Sequence, residues 1–184
     1  MREVASNSHA LSPETTGFTL VELLITITVL ATLLILSTPS FKTLLMNNRI
    51  LAKADALTNA LNYARNSALT QNMSVVACPF AAADSTACGT SWQNGWIIVT
   101  QPTTGAQILL LSYPNGTNDP VLSSATTSVT FDLRGITTTQ ANFKLCDDRG
   151  GAFARSVKVL PTGFVQSGDT MGSAVWDGSA LACP

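Results

Sequence analysis

The stretch GFTLVELLITITVLATLLIL, from Gly17 to Leu36, is a nearly unbroken apolar run that carries a single acid, Glu22. As an α-helix, the part from Phe18 to Leu36 would rise about 28 Å, close to the hydrocarbon thickness of a bilayer. A secretory signal has a shorter apolar core, about 7 to 15 residues, and a small-residue cleavage site after it, which is not found here. The run therefore predicts an uncleaved membrane-spanning helix.

Glu22 is unusual inside such a helix, because an ionised carboxylate there costs about 2.5 to 3.5 kcal/mol on insertion scales. The nearest basic residues along the chain are Arg2 and Lys42. A cut between Gly17 and Phe18 would create an ammonium group at the same helical end, able to pair with Glu22 of a neighbouring subunit. The alternative is a carboxylate that reaches the membrane surface on its own stem.

The segment GFTLVEL, residues 17–23, resembles the processing site of type IV pilins and type II secretion pseudopilins. This resemblance implies that a prepilin peptidase cuts after Gly17 and that the new first residue, Phe18, is N-methylated. It also implies that Glu22 guides assembly by neutralising the amine of a neighbour. Residues 1–17 would then be a cleaved leader, and residues 18–38 the transmembrane part of the helix.

The charges that flank the helix depart from this family pattern. Such leaders are usually basic, whereas this one has Arg2 against Glu3 and Glu14. Three basic residues follow the helix on the other side: Lys42, Arg49 and Lys53. A count of Lys and Arg alone would favour the reverse topology, and we give the processing motif the greater weight.

Beyond the membrane run the helix is predicted to continue over residues 39–72. Apolar residues recur there at alternating spacings of four and three, which places them on one helical face: Ile50, Ala54, Leu57, Leu61, Ala64 and Ala68. Pro39 is expected to kink or loosen the helix between its two halves. The apolar face needs a cover from the rest of the chain.

Residues 73–184 supply that cover as short β-rich runs separated by turn residues, at 74–78, 96–101, 107–113, 128–132, 142–146 and 156–160. The motifs PTTG at 102–105 and PTG at 161–163 predict hairpin connections. The Ser/Thr-rich stretch around 123–130 is interpreted as a loop or an edge strand. The predicted fold class is α+β, with a long N-terminal helix packed on a β-rich domain.

All four cysteines lie in the β-rich part, which favours disulfides in an oxidising compartment. Three pairings are allowed, and we favour Cys78 with Cys88 and Cys146 with Cys183. Zinc is the weaker alternative, because no close cysteine pair exists and the only histidine, His9, lies in the predicted leader.

Composition and motifs argue against an enzyme. A mature chain without histidine cannot build a Ser/His/Asp or Cys/His site, and no glycine-rich phosphate loop follows a predicted strand. The adjacent acids Asp147 and Asp148 would point to opposite faces of a strand, and such a pair more often caps or turns. We expect no catalytic residue, no cofactor and no metal, although calcium at this acid pair stays a minor alternative.

The segment CDDRGGAFARSVKVLPTGFVQSG, from Cys146 to Gly168, resembles the C-terminal signature of the GspH and FimT or FimU branch of minor pilins and pseudopilins. That branch implies a β-sandwich packed on the helix. It also implies a place at or near the filament tip, where minor subunits initiate assembly.

DNA capture is the competing function, because some members of this branch take up DNA through a motif of glycine, arginine, any residue and arginine. The matching stretch here, Gly163 to Gln166, has no arginine. Only 11% of the residues are charged, and the formal net charge is −1. A local basic group remains as a candidate contact to DNA or to another subunit: Arg134, Lys144, Arg149, Arg155 and Lys158. For Arg149 and Arg155 we favour pairing with nearby aspartates or a neighbouring subunit.

Together these observations predict a non-enzymatic minor pilin that assembles through its helix into the tip of a type IV pilus. We expect it to lie in the bacterial inner membrane as a single-pass protein with a periplasmic globular domain. Its expected partners are the prepilin peptidase and other minor and major pilins. The alternatives are a tip subunit of a type II secretion pseudopilus, a DNA-binding pilin for natural transformation, and a plain membrane-anchored binding domain.

Overall fold

A computed structural model describes residues 17–183, without the side chains of residues 36–39. Helix α1 spans Leu20–Gln71, close to the predicted extent. It begins with Thr19, whose carbonyl oxygen accepts the Leu23 N–H at 3.1 Å and whose hydroxyl accepts the Glu22 N–H at 3.2 Å. The predicted leader before Gly17 and the side chain of Pro39 lie outside the described residues.

The chain divides into two units, with the boundary between Lys42 and Thr43 inside α1. The first unit consists of the apolar part of α1, and its long side chains are exposed. The second unit contains the rest of α1 together with all the strands. The buried contacts described below belong to this second unit.

Within residues 17–183, eight antiparallel strands form two four-stranded sheets, in the orders β3-β2-β1-β5 and β4-β6-β7-β8. Their bounds are β1 Ser74–Pro79, β2 Gly95–Gln101, β3 Leu109–Pro114, β4 Val121–Ser124, β5 Val129–Phe131, β6 Ala141–Cys146, β7 Arg155–Val159 and β8 Val165–Ser167. Short 3-10 turns precede β2 and β7, at Trp92–Asn94 and Gly151–Phe153. All six predicted strands are present, and the α+β fold class is confirmed.

The PTTG and PTG motifs lie in the β2–β3 and β7–β8 hairpins, as predicted. In the second hairpin, Leu160 N–H donates to the Phe164 carbonyl across the turn. Gly163 adopts a φ of 76°, and a Cβ there would collide with the Gly135 carbonyl oxygen. A glycine is therefore required at this position for both conformation and space.

One apolar core joins α1 to both sheets. The predicted helical stripe is fully buried in it, with each of its six residues at most 1% exposed. The strands contribute alternate residues, such as Phe143 and Leu145 of β6 and Val157 of β7. Trp92 packs edge-on against Phe143, with 4.9 Å between ring centroids. The helix is thus an integral part of the domain core from Ile50 onward.

Both favoured disulfides are present. Cys78 and Cys88 are bonded with their Cα atoms 5.5 Å apart, and Cys146 and Cys183 with theirs 5.9 Å apart. The second bond fastens the C-terminal segment to the end of β6. A small separate cluster, which includes Ala154, Ala174 and Leu181, packs beneath that segment.

Candidate functional site

The predicted processing site lies directly before α1. Gly17 and Phe18 precede the capped start of the helix, and the Phe18 side chain is 78% exposed. Among the described residues, no heavy atom other than those of its chain neighbours lies within 4 Å of a Cβ built at Gly17. The Gly17–Phe18 peptide bond is therefore outside the helical hydrogen-bond ladder, in an open position that a protease needs.

Glu22 occupies the first turn of α1, three residues after Thr19. This is the spacing of a capping box, and a carboxylate in the first turn interacts favourably with the partial positive charge of the helix N-terminus. The hydrogen bond to Thr19 uses the Glu22 main chain and leaves the carboxylate out of it. Within residues 17–183, no ion pair to Glu22 is present.

The membrane-like part of α1 presents an apolar surface on all sides. Every large apolar side chain from Leu20 to Ile35 is more than half exposed. By length and composition α1 could cross a membrane, and its most apolar window has a mean hydropathy of 2.4 with no part of it buried. The hydroxyl groups of Thr26, Thr28 and Thr32 donate hydrogen bonds to carbonyl oxygens about one turn earlier in α1, so these polar groups are satisfied within the helix.

The candidate basic group does not form one surface. Arg134 is exposed and pairs with Asp132 at 3.2 Å. Arg149 is mostly buried and donates to the Asp147 carboxylate at 2.6 Å. Asp147 also accepts the Arg149 N–H, so the acid pair lies in a turn as expected. A second Arg149 nitrogen donates to Asn47 on α1 at 2.6 Å, and the guanidinium lies over the Phe153 ring.

The other three cations are directed toward the C-terminal segment. Lys144 donates to the Ala182 carbonyl at 2.8 Å, and Lys158 interacts electrostatically with Asp177. Arg155 donates to the carbonyls of Gly168 and Asp169. Arg155 thus binds main-chain oxygens, and among the described residues it forms no ion pair with an aspartate carboxylate. A contact between Arg155 and a neighbouring subunit stays a prediction. Lys144 and Arg155 therefore bind this segment directly.

Lys53 faces the core, which the charge count around the membrane segment does not show. Its side chain is only 2% exposed. The ammonium group binds Asp119 at 2.9 Å and Asn115, and it lies over the Tyr113 ring at 4.2 Å from the centroid. Lys53 follows Ile50 by three residues and precedes Leu57 by four. That spacing was the available signal that it faces the core.

The pKa values of this pair reflect its enclosure. Burial lowers the pKa of Lys53, although the hydrogen bond and the charge of Asp119 act in the opposite direction. The Gly116 N–H, which donates to Asp119 at 3.0 Å, is the main reason that the pKa of Asp119 lies below its ordinary value. The charged pair holds the loop between the two sheets against α1.

Arg65 forms a third polar connection between α1 and the sheets. Its Nε donates to the Gly135 carbonyl at 2.9 Å, and a terminal nitrogen approaches the Thr162 carbonyl at 3.4 Å. A Cβ at Gly163 would crowd both the Gly135 carbonyl and the Arg65 Nε. The signature segment from Cys146 to Gly168 therefore contacts α1 near both of its ends, through Arg149 and through the turn at Thr162.

The described residues offer no cluster of three or more histidine, cysteine, aspartate or glutamate side chains that could hold a metal ion. Of the adjacent acids Asp147 and Asp148, Asp147 is bound by Arg149 and is largely buried. Nothing in this arrangement resembles an acid and base pair aimed at a shared substrate. The first unit offers an exposed apolar helix, and within the second unit polar contacts join the remaining part of α1 to the β-rich domain.

Comparison with known proteins agrees with this architecture. Residues 53–163 match the sequence model of the family described as Type II transport protein GspH, which is more than half of the chain. No curated protein matches the sequence. Two crystal structures of the type IV minor pilin FimU of Pseudomonas aeruginosa share the fold. One is 20% identical, covers 64% of this chain and 91% of its own, and has a TM-score of 0.51.

The second FimU structure is 18% identical, covers 67% of this chain and 95% of its own, and has a TM-score of 0.52. At these identities the likeness establishes the fold. The family itself is established by the match over the helix that packs on the sheets and over most of the signature segment. The chain therefore belongs to the GspH family of minor pilins and pseudopilins.

Proposed function

We propose that this chain is a minor pilin that enters the tip of a type IV pilus and helps to initiate its assembly. In this proposal residues 1–17 are a leader removed by a prepilin peptidase, and residues 18–38 anchor the protein in the inner membrane. Residues 39–72 carry the helix into the periplasm, where residues 73–184 form the globular domain. The subunit is a structural component and catalyses no reaction.

The observation that carries the proposal is the start of α1. The Gly17–Phe18 bond lies in an exposed segment immediately before a capped helix, whose membrane-like part is apolar all round. The first turn of this helix contains the Glu22 carboxylate, which has no ion pair within residues 17–183. A soluble domain would not retain such a surface, because a contiguous apolar area this large associates with lipid or with other helices. In the membrane this apolar surface would contact lipid, and in a filament it would pack against the helices of other subunits.

Glu22 would act by charge neutralisation. Cleavage produces an ammonium group at Phe18 that must be brought into an apolar filament interior during assembly. Opposite charges attract strongly in such a low-dielectric environment, and an unpaired ion is costly there. A subunit whose Glu22 meets the amine of its neighbour therefore enters more favourably than one whose carboxylate is absent.

Two related assemblies fit this proposal. The FimU structures belong to a type IV minor pilin, and the family description names type II transport. We favour the pilus and keep the secretion pseudopilus as the alternative. These contacts do not favour DNA capture, because four of the five candidate cations, Arg134, Lys144, Arg149 and Arg155, bind acceptors within the domain.

A complementation experiment tests the proposal. The gene is deleted in its own host, and surface pili and secretion through the type II system are both measured. We expect a sharp fall in pilus number that wild-type protein restores, with the subunit recovered at a few copies per sheared filament. Unchanged pilus number together with a secretion defect would contradict the pilus and support the pseudopilus. No change in either would contradict filament assembly altogether.

A further inference from the structure

The buried stripe of α1 is periodic. Its spacing of four and three residues repeats every seven residues. A shift of α1 by one repeat would place most of these apolar residues on apolar positions again. The apolar pattern alone therefore specifies the position of α1 along its axis less sharply than polar contacts do.

Three polar contacts interrupt this periodic surface. Asn47 accepts from Arg149, Lys53 binds Asp119, and Arg65 donates to the Gly135 carbonyl. Seven residues further along α1, the first two positions are occupied by Ala54 and Ala60. A displaced helix would thus leave Arg149 and Asp119 without these partners. Buried ion pairs are weak contributors to net stability, and in some proteins a polar contact of this kind instead fixes a unique arrangement.

The contacts also lie on a short path to the C-terminus. The Cys146–Cys183 disulfide fastens the C-terminal segment to the end of β6, three residues before Arg149. Arg149 in turn reaches Asn47 on α1. A pull applied between the helix and the C-terminus therefore acts directly on the Arg149–Asn47 hydrogen bond and on the neighbouring Lys53–Asp119 pair.

We propose that Asn47, Lys53 and Arg65, with their partners, form an axial lock that keeps α1 from sliding out of the sheets under load. The inference rests on the proposed function, in which the anchored helix bears force transmitted between filament and domain. The contacts of the lock run across the interface between α1 and the sheets, so they oppose displacement of α1 along its axis. The lock accounts for the buried charge of Lys53, which apolar packing does not require.

Single-molecule pulling on the full, disulfide-bonded chain in detergent micelles tests the lock. Handles at the two termini load the helix against the domain. Asn47→Ala combined with Lys53→Met removes two of the contacts. Asn48→Ala combined with Lys42→Met is the matched control, because both residues are exposed on α1 and neither belongs to the lock. Both pairs change the same residue types.

A second pulling direction separates the lock from simple stabilisation. With one handle at a cysteine introduced at Thr104 in the β2–β3 loop and the other at the C-terminus, the helix is not loaded. All four natural cysteines form disulfides, so a cysteine there is uniquely reactive.

We expect the Asn47→Ala and Lys53→Met pair to lower the mean rupture force between the termini by at least a third, while its force in the second direction stays within a tenth of wild type. The control pair should match wild type in both directions. An unchanged force between the termini, or an equal loss in both directions, would overturn the lock. Neither outcome depends on filament formation, so a failure of the proposed function would be seen separately in the complementation experiment.

Discussion

At the scale of single residues, Glu22 serves α1 through its main chain and leaves its carboxylate unpaired among the described residues. Thr19 accepts the Glu22 N–H, a bond that any residue other than proline at this position would keep. The helix start and the negative charge can therefore be separated by mutation. This separation is what makes the assigned role of Glu22 testable.

We predict that Glu22→Gln leaves leader cleavage intact and reduces incorporation into filaments by at least tenfold. Glutamine preserves size and the capped amide but cannot neutralise a neighbouring ammonium group. Cleavage is measured by intact mass, and incorporation by the amount of subunit in sheared filaments. Leu23→Met, a neighbouring apolar exchange, serves as the control. Normal incorporation of the Glu22→Gln chain would refute the role assigned to the charge.

The Lys53–Asp119 pair gives the domain a defined acid response. The pKa of Asp119 lies below its ordinary value, chiefly because of the Gly116 N–H. The unfolded chain therefore binds a proton at higher pH than the folded chain does. The stability from this carboxylate is fully present above the unfolded pKa of about 3.9 and is lost as pH falls through the folded pKa.

Asp119→Asn should accordingly flatten the decline in stability between about pH 5 and pH 2, while lowering stability near neutral pH. Urea unfolding of the full chain in a nonionic detergent, repeated across this range, measures the slope. Asp84→Asn in the exposed 79–88 loop is the comparison variant. If both variants keep the wild-type slope, Asp119 does not carry the acid response that we assign to it.

At the scale of elements, long periodic segments were predictable from the sequence, whereas short strands and a charge buried with a distant partner were not. The helix face and six strands follow from spacing, because burial of one face imposes it directly. Strands β4 and β8 were not predicted, because VLSS and VQS are short and lie beside polar turn residues, whereas the equally short β5 lies in the β-branched and aromatic run SVTFD. Strand β4 is an edge strand, as its Ser/Thr-rich stretch allowed. Lys53 was misplaced because its partner, Asp119, is distant in sequence.

The two disulfides were predictable as a pairing because each joins the end of a strand to a later loop or tail. Their contributions should differ with loop length, since a longer closed loop restricts the unfolded chain more. The separations are 37 residues for Cys146–Cys183 and 10 for Cys78–Cys88. On the chain-entropy account these correspond to about 4 and about 3 kcal/mol.

We predict that Cys146→Ser with Cys183→Ser lowers the free energy of unfolding by about 1 kcal/mol more than Cys78→Ser with Cys88→Ser. Denaturant titrations of the two double variants, compared with wild type, provide the measurement. The first variant should also expose the C-terminal segment to chymotrypsin, because Trp176 and Leu181 would lose their cover. The reverse order of stabilities would show that strain or packing outweighs loop length here.

At the scale of the whole molecule, most of the candidate cations are bound by acceptor groups within the domain. The sequence identifies a group of basic residues, but it cannot show that Lys144 and Arg155 bind carbonyl oxygens of the C-terminal segment and that Arg149 binds α1. Those contacts depend on the tertiary arrangement of distant segments. A phosphate backbone would need several free cations on one face, and within residues 17–183 four of the five candidate cations are bound by acceptors of the domain.

We therefore predict that residues 46–184, with both disulfides formed, do not bind double-stranded DNA even at low salt. Fluorescence anisotropy across a salt series measures this, because phosphate contacts weaken steeply as salt rises. Micromolar binding that falls with salt and disappears in Arg149→Ala with Arg155→Ala would instead identify a DNA-uptake pilin. The Arg134→Ala chain serves as a control for an exposed cation outside that pair.

We propose that this chain is cut after Gly17 and enters a filament through the helix that starts at Leu20. Intact mass of the chain extracted from membranes with and without an active prepilin peptidase tests it most directly. We predict a product that begins at N-methylated Phe18, and its absence in Gly17→Ala, a change that disturbs no packing among the described residues. A chain that keeps residues 1–17 beside an active peptidase would contradict the account.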